Sequence, residues 1–186
     1  MSEKLLLNIG AGYKKIDGYL SVDGDKNCNP DYLVNLDDEN LSLPFDSDSV
    51  DGIVAHHILE HIGTGYIRLL QELYRVCKSG AVIDIRVPHP NHEVYLNDPT
   101  HKRPITVEGF RLCSKKFNRL EIERGGSSST LGLMYDFDFE LVAFDYVYDS
   151  FYNDIVPSMT QQMVQRLFRE ALNTTIEIHI QVMVVK

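Results

Sequence analysis

Almost no chain separates the first two apolar runs of this sequence. Leu5-Leu6-Leu7-Asn8-Ile9 breaks at Gly10-Ala11-Gly12, and a second short apolar stretch, Tyr19 to Val22, ends on an acid, Asp23. Six residues, Gly18 among them, lie between Gly12 and Tyr19. A parallel crossover through a full helix takes about ten to twelve residues or more. The spacing therefore predicts two neighbouring strands joined by a turn or loop, with a first helix reduced almost to nothing. One face of the sheet near these strands is then thinly covered. A strand that stops at a glycine turn lets backbone approach a ligand closely, and a carboxylate at the end of the next strand suits ribose hydroxyls. Gly10 to Asp23 spans 13 residues, short of the roughly 20 of a dinucleotide fold. The stretch reads as a nucleoside site.

The length of 186 residues suits one domain with one core, here taken as residues 1–186, and 44% hydrophobic with 24% charged residues is a globular composition. A net charge of -9 argues against nucleic acid as a bulk electrostatic partner. Lys102-Arg103 and Lys115-Lys116 are the candidate local basic patches. No apolar run approaches a membrane span, and the first residues lack a signal-peptide pattern. Cys28, Cys77 and Cys113 are three cysteines at wide spacing, which points to a reducing compartment, the cytoplasm, rather than a disulfide framework.

Apolar runs alternate with helical patterns, the mark of an α/β fold. Strands are expected near 4–9, 19–23, 31–35, 50–55 and 81–87. Gly65 to Lys78 carries a 3.6-period apolar face from Tyr66, Leu69, Leu70, Leu73 and Cys77, a helix between the fourth and fifth strands. Four prolines make 88–104 a loop. Thr106 to Lys116 reads as a short helix weakened by Gly109, and 124–132 as a flexible surface connection. Residues 88–132 together are expected to be an irregular insertion on the substrate side. Phe137 to Tyr148 reads as a strand. A helix opens at Pro157-Ser158 with Ser158 as its cap, burying Met163, Val164, Leu167, Phe168, Ala171 and Leu172. Ile176 to Val184 is a period-2 strand. The total is about seven strands.

The order of motifs resembles the class I S-adenosylmethionine-dependent methyltransferases, in particular the small bacterial and viral members. The matching pieces are Leu-Asn-Ile-Gly-Ala-Gly (7–12), Val-Asp (22–23), Asn-Leu-Asp (35–37), Leu-Pro-Phe-Asp-Ser-Asp-Ser-Val-Asp (43–51), His-Ile-Leu-Glu-His (57–61) and Glu-Leu-Tyr-Arg-Val-Cys-Lys-Ser-Gly (72–80). Asp-Pro-Thr-His-Lys-Arg-Pro (98–104) is similar to a segment of that small subgroup. The resemblance covers roughly residues 4–90 well. It implies a Rossmann-like, doubly wound, mostly parallel sheet with the last strand antiparallel, and S-adenosyl-L-methionine as cofactor. It assigns Asn8, Gly10, Ala11 and Gly12 to the turn beside the cofactor, and Asp23 to the ribose hydroxyls with Gly24 and Asp25 in the same loop. Leu36 and Asp37 would flank the adenine, and His56 would line the methionine end. Asn8 stands where the broader family often has an acid, and Lys14 replaces the usual third glycine. The implied acceptor is a small molecule or a sugar.

Six of the seven histidines fall between residues 56 and 101. In open α/β sheets ligands bind outside the carboxyl ends of the strands. His56 and His57 follow the fourth strand, and His89 and His92 the fifth. The candidate catalytic residues are His57, His89 and His101, with Asp98 as a partner or alternative, because a histidine near neutral pKa suits proton transfer from an acceptor. His57-Ile58-Leu59-Glu60-His61 also fits His-x-x-Glu-His, which on a helix would place two imidazoles on one face for zinc with Glu60 as base. A zinc hydrolase is thus a competing reading, and a non-catalytic S-adenosylmethionine or nucleoside-binding module is another. No metal is assigned; a set from His89, His92 and Asp98 has no helical or strand spacing behind it. A partner subunit, in a homodimer, is one way for the thin sheet face to be covered.

Overall fold

No helix forms between the first two strands. The structure, a computed structural model, describes residues 4–186 without the side chain of Arg169. Its elements are β1 (Leu6–Ile9), β2 (Leu20–Asp23), β3 (Tyr32–Leu33), β4 (Val50–His56), α1 (Tyr66–Val76), β5 (Cys77–Pro88), α2 (Glu93–Leu96), α3 (Val107–Arg111), α4 (Lys115–Glu123), α5 (Leu131–Tyr135), β6 (Phe139–Tyr148), α6 (Gln161–Glu170) and β7 (Thr175–Val184). They make one seven-stranded sheet in the order β3-β2-β1-β4-β5-β7-β6. Pairing is parallel from β3 through β5, and β7 runs antiparallel to both β5 and β6. The strand order reverses between β1 and β4, the place where a doubly wound sheet opens a crevice at its carboxyl edge. Among the described residues no helix is long and apolar enough to cross a membrane.

The core lies on one face of this sheet. Leu7, Ile9, Ile53, Ile83, Ile85, Ile178 and Ile180 are all buried there against Leu69, Leu70 and Leu73 of α1 and Phe110 of α3. Each large apolar side chain fully withdrawn from water contributes about 1.5–3 kcal/mol. The opposite face is mixed and carries a largely polar row. Ser21, Asn8, Val54, Asp84 and Gln181 form one row across the register of β2, β1, β4, β5 and β7. Ser21 is buried and satisfied, its amide and hydroxyl both donating to Asp31 at 2.8 and 2.5 Å. The thin cover expected over the first two strands is not seen: Asn8, Ser21 and Val54 are buried at 4%, 1% and 9% exposure, and the row opens to solvent only toward Gln181.

Several boundaries differ from expectation. The third strand shrinks from 31–35 to two residues, because Tyr32–Leu33 is an edge strand paired only to β2. The helix expected over 65–78 ends at Val76, and Cys77 passes directly into β5 by pairing with Val50. The open carbonyls of its last turn are taken by Asp48 and Ser49 amides, which donate to Arg75 and Val76 at 3.0 and 2.9 Å. The expected 106–116 helix is two helices: the Thr106 side chain caps α3 and the Ser114 side chain caps α4. Residues 88–132, expected to be irregular, hold α2, α3, α4 and the start of α5. Gly132 stands in α5 for packing rather than flexibility, since a Cβ there would lie 2.8 Å from the Cys113 carbonyl oxygen. Thr160, not Ser158, caps α6; Ser158 closes a preceding 3₁₀ turn. Met163 and Leu172, expected to be buried, are 53% and 66% exposed, so α6 lies on the surface and touches the sheet through Phe168 on Tyr146 and Tyr148.

Glu72 of α1 ties the Leu-Pro-Phe segment to the core. Its carboxylate is 2% exposed and accepts from the Leu43 amide at 2.7 Å, from Arg75 Nε at 2.9 Å and from a terminal Arg75 nitrogen at 2.7 Å, with Arg68 at 3.1 Å. Burial alone would raise its pKa, but Arg75, the Leu43 amide and Arg68 outweigh it and hold it below the usual glutamate range. Removing one partner of a buried ion pair costs about 3–5 kcal/mol, so Glu72→Ala should lower unfolding stability by that order in urea melts at pH 7. The folded-state pKa lies below the unfolded one. This stabilisation is therefore complete above about pH 4.3 and is lost as pH falls through the folded value. The wild type should weaken over that acid range more steeply than Glu72→Gln.

Candidate functional site

The glycine turn after β1 is built by the strands on either side of it. The Gly10 amide donates to the Val22 carbonyl at 2.8 Å, extending the β1–β2 ladder past its end. Gly10 and Gly12 then take φ of +68° and +50°, which side chains other than glycine adopt only with strain. Space enforces the first of these as well: a Cβ on Gly10 would lie 2.4 Å from Ile58. Asn8, 4% exposed, braces the turn from beneath by donating to the Lys14 carbonyl at 3.1 Å.

Asp23 sits beside this turn. One carboxylate oxygen accepts the Gly12 amide at 2.8 Å and the other the Asp25 amide at 2.8 Å. Both oxygens keep acceptor capacity, because an ionised carboxylate has about four lone-pair directions. Asp25 caps a one-turn 3₁₀ helix, Lys26–Cys28. Gly24 packs close to β3, where a Cβ would stand 3.4 Å from the Val34 carbonyl oxygen.

A cleft of about 590 Å³ opens above the turn. Asn8, Gly10, Ala11 and Gly12 line it from β1, His56 and His57 from β4. Tyr13, Lys14, Ile16, Arg86 and Glu177 complete the lining. The structure thus brings together six of the residues singled out from sequence, with Asp23 joined through Gly12. Glu177 was missed. Its signal was the antiparallel last strand itself, which brings its beginning, Thr175–Glu177, to the carboxyl edge of the parallel strands.

Leu36 and Asp37 lie elsewhere. Leu36 is 4% exposed within the core. Asp37 accepts the Gly63 and Gly65 amides at 2.8 and 2.9 Å through one oxygen and binds Lys102 at 2.6 Å through the other. Burial works to raise its pKa, and Lys102 with the two amides outweighs it, holding the carboxylate below the usual range.

The histidines divide into separate pairs. His56 Nε2 meets Asp84 at 2.7 Å, and Asp84 also accepts from Gln181 at 2.9 Å. His57, at φ +54°, meets Glu177 at 2.6 Å through Nε2 and stands 3.7 Å from Glu60 through Nδ1. The nearby Glu60 carboxylate, opposed by partial burial and joined by the Glu177 charge, raises the His57 pKa. Glu177 in turn pairs with His179. His89 accepts the Asn91 amide at 3.2 Å, and burial with His92 nearby pushes its pKa down. His92 meets Asp149 at 3.3 Å. Asp98 accepts the amide and hydroxyl of Thr100, which lower its pKa. His89, Asp98 and His101 are outside the cleft lining, and His89, His92 and Asp98 do not converge.

The His-x-x-Glu-His motif does not form the helical arrangement that zinc hydrolysis requires. His57 is left-handed and Leu59–His61 is a single 3₁₀ turn, so His57 and His61 do not share a helix face. The two rings instead take different partners, Glu177 and Thr100.

Comparison with known proteins fits this architecture. Residues 16–84 match a family model described as a methyltransferase domain. No curated protein matches by sequence. A SAM-dependent methyltransferase structure from Archaeoglobus fulgidus superposes with a TM-score of 0.60 at 16% identity, covering 97% of this chain and 86% of its own. One described as a SAM-dependent methyltransferase from Listeria monocytogenes superposes at 0.60 with 13% identity, covering 100% and 91%. The [4+2]-cyclase SpnF does so at 0.56 with 14% identity, covering 98% and 75%. Residues 16–84 thus match a methyltransferase-domain model, and the whole chain shares the fold of S-adenosylmethionine-dependent methyltransferase structures.

Proposed function

We propose that this protein transfers the methyl group of S-adenosyl-L-methionine to a small-molecule or sugar-type acceptor. The observation that carries the reading is the turn at Gly10–Gly12 with Asp23 held against it at the carboxyl edge of the sheet. The fit is one of shape and of donor chemistry. A Cβ at Gly10 has no space, and Asp23 keeps lone pairs for ribose hydroxyls, a charge-assisted contact. Bound there, the cofactor supplies a methyl on a positively charged sulfur, which an acceptor takes by in-line displacement with the electron pair left on sulfur.

The chain's own residues orient and exchange protons. Asn8, Gly10, Ala11 and Gly12 form the floor of the cleft and His56 one wall. Asp23 fixes the ribose, with Gly24 and Asp25 completing its loop, while Leu36 and Asp37 hold the neighbouring loop in place rather than reading the adenine by direct contact. The His57–Glu177 pair takes up the acceptor's proton: Glu177, at the cleft, accepts it while His57 Nε2–H holds and stabilises the carboxylate. Arg86 and Tyr13 at the rim suit a polar acceptor. His89, His101 and Asp98 stabilise the loops around the rim.

A second reading, a module that binds the cofactor without turnover, draws on the containment of His57 between two carboxylates and on the similarity of this fold to a structure described as a [4+2]-cyclase. Methyl transfer separates the two. Hydrogen bonds to a charged group are worth about 1.5–3 kcal/mol, so Asp23→Ala should weaken S-adenosylmethionine and S-adenosylhomocysteine binding roughly 10- to 150-fold by titration calorimetry. Gly10→Ala should weaken both and lower stability. Undiminished binding by Asp23→Ala would sink the site assignment. His57→Gln should keep cofactor affinity and slow transfer of a labelled methyl group by about 10²- to 10⁴-fold; transfer at the wild-type rate would remove the His57–Glu177 pair as the base.

A further inference from the structure

Behind His57, outside the cleft, a buried carboxylate has no hydrogen-bond partner. The Glu60 side chain is 1% exposed, and neither of its oxygens accepts a hydrogen bond among the described residues. An ionised carboxylate removed from water without compensation is strongly unfavourable. The neighbouring cations are committed elsewhere. Lys102 binds Asp37 at 2.6 Å, and the Arg103 guanidinium donates to the Ile62 and Gly63 carbonyls at 2.9 and 2.6 Å while lying over the Tyr66 ring. His57 Nδ1, at 3.7 Å, is beyond hydrogen-bond reach.

Two imidazoles converge on this carboxylate. Glu60, His61 and His101 each offer one ligand atom, all within 4.8 Å of one another, and the His101 side chain is 7% exposed. Their hydrogen bonds fix which ring nitrogen is free. His101 Nδ1 lies 2.7 Å from the Tyr95 carbonyl, which only accepts, so Nδ1 carries the proton and Nε2 the lone pair. Thr100 gives its hydroxyl proton to Asp98 at 2.6 Å, so its oxygen accepts from His61 Nδ1 at 2.8 Å. His61 Nε2 is then also left with a lone pair. Such a second bond from Nδ1 is the usual support of a metal-binding histidine. Two ring nitrogens and a buried carboxylate without hydrogen-bond partners thus face one another, a donor set that suits a cation.

We propose that Glu60, His61 and His101 bind a divalent transition-metal ion of the zinc class, through the Glu60 carboxylate and Nε2 of both imidazoles, with water completing the shell. Imidazole ligands favour such an ion over magnesium or calcium. Bonds of about 2.0–2.2 Å place tetrahedral donors roughly 3.4 Å apart, so small rotations of the two rings close the set. The backbone is already in position. The Lys102 and Arg103 amides both donate to the Glu60 carbonyl, at 2.7 and 3.3 Å. Tyr95 stacks on His101 at 4.9 Å. The ion would join segment 98–103 to the turn after β4, and Asp98 and Thr100 would act as positioning residues that hold the His61 tautomer. This ligand set differs from the helical His57-Glu60-His61 arrangement and does not depend on the methyl-transfer reading.

The test is titration of full-length, chelator-stripped protein with zinc chloride by calorimetry, and with cobalt(II) followed by its visible ligand-field absorption. One ion per chain is expected. His101→Ala should weaken binding at least about 100-fold, and Thr100→Val about 10- to 100-fold, while His179→Ala should leave it unchanged. Glu60→Gln should weaken it as well; if that variant does not fold, His101→Ala and Thr100→Val still decide. No stoichiometric binding by the wild type, or binding unaffected in His101→Ala, would overturn the proposal. So would binding lost in His57→Ala but kept in His101→Ala.

Discussion

The ten residues between β1 and β2, 10–19, are the constraint on which the rest of this molecule depends. They are too few for a crossover helix, so the chain turns at once on Gly10 and Gly12, and the turn takes its hydrogen bonds from the end of β2. That places Asp23 against Gly12 without any further device. The same brevity leaves one sheet face without a helix over β1 and β2. Ser21 and Asn8 on that face are buried, and each is satisfied within the chain, by Asp31 and by the Lys14 carbonyl.

Charged groups in the loops after β3 and β4 serve as fasteners. Asp37 gathers two amides and a lysine, and in doing so brings Gly65 so close that a Cβ there would lie 2.6 Å from the Asp37 carbonyl carbon. Segment 98–103 is laced to the turn after β4 by amides on Glu60 and by Arg103 on two carbonyls. His57 lines the cleft, and Glu60, buried 3.7 Å from its Nδ1, does not. Any change in charge at Glu60 acts directly on that imidazole, because a buried pair at this distance is screened little.

Much of the fold was legible in the sequence because the apolar periods of β1, β4, α1 and β7 are strong and local. The Gly10–Gly12 turn and Asp23 were legible for the same reason: spacing alone determined them. The failures came where tertiary contacts chose between local alternatives. Pro157-Ser158 looked like a helix start, yet Thr160 captured the Met163 amide first. Met163 and Leu172 have helical spacing, but the sheet offers them no facing surface. The histidines crowded between 56 and 101 suggested one array, whereas each found a different hydrogen-bond partner. Asp37 matched a motif, and only the positions of Gly63, Gly65 and Lys102 revealed what it holds.

Glu177 meets His57 across 120 residues of sequence. The two come together only when β7 has inserted between β5 and β6, the step with the greatest loop-closure cost in the chain. The cleft floor forms from short-range contacts between β1 and β2, whereas its acid–imidazole pair waits for the last strand of the sheet. The glycine turn and the acid–imidazole pair therefore rest on contacts of very different range, and only closure of the sheet brings the imidazole to its acid.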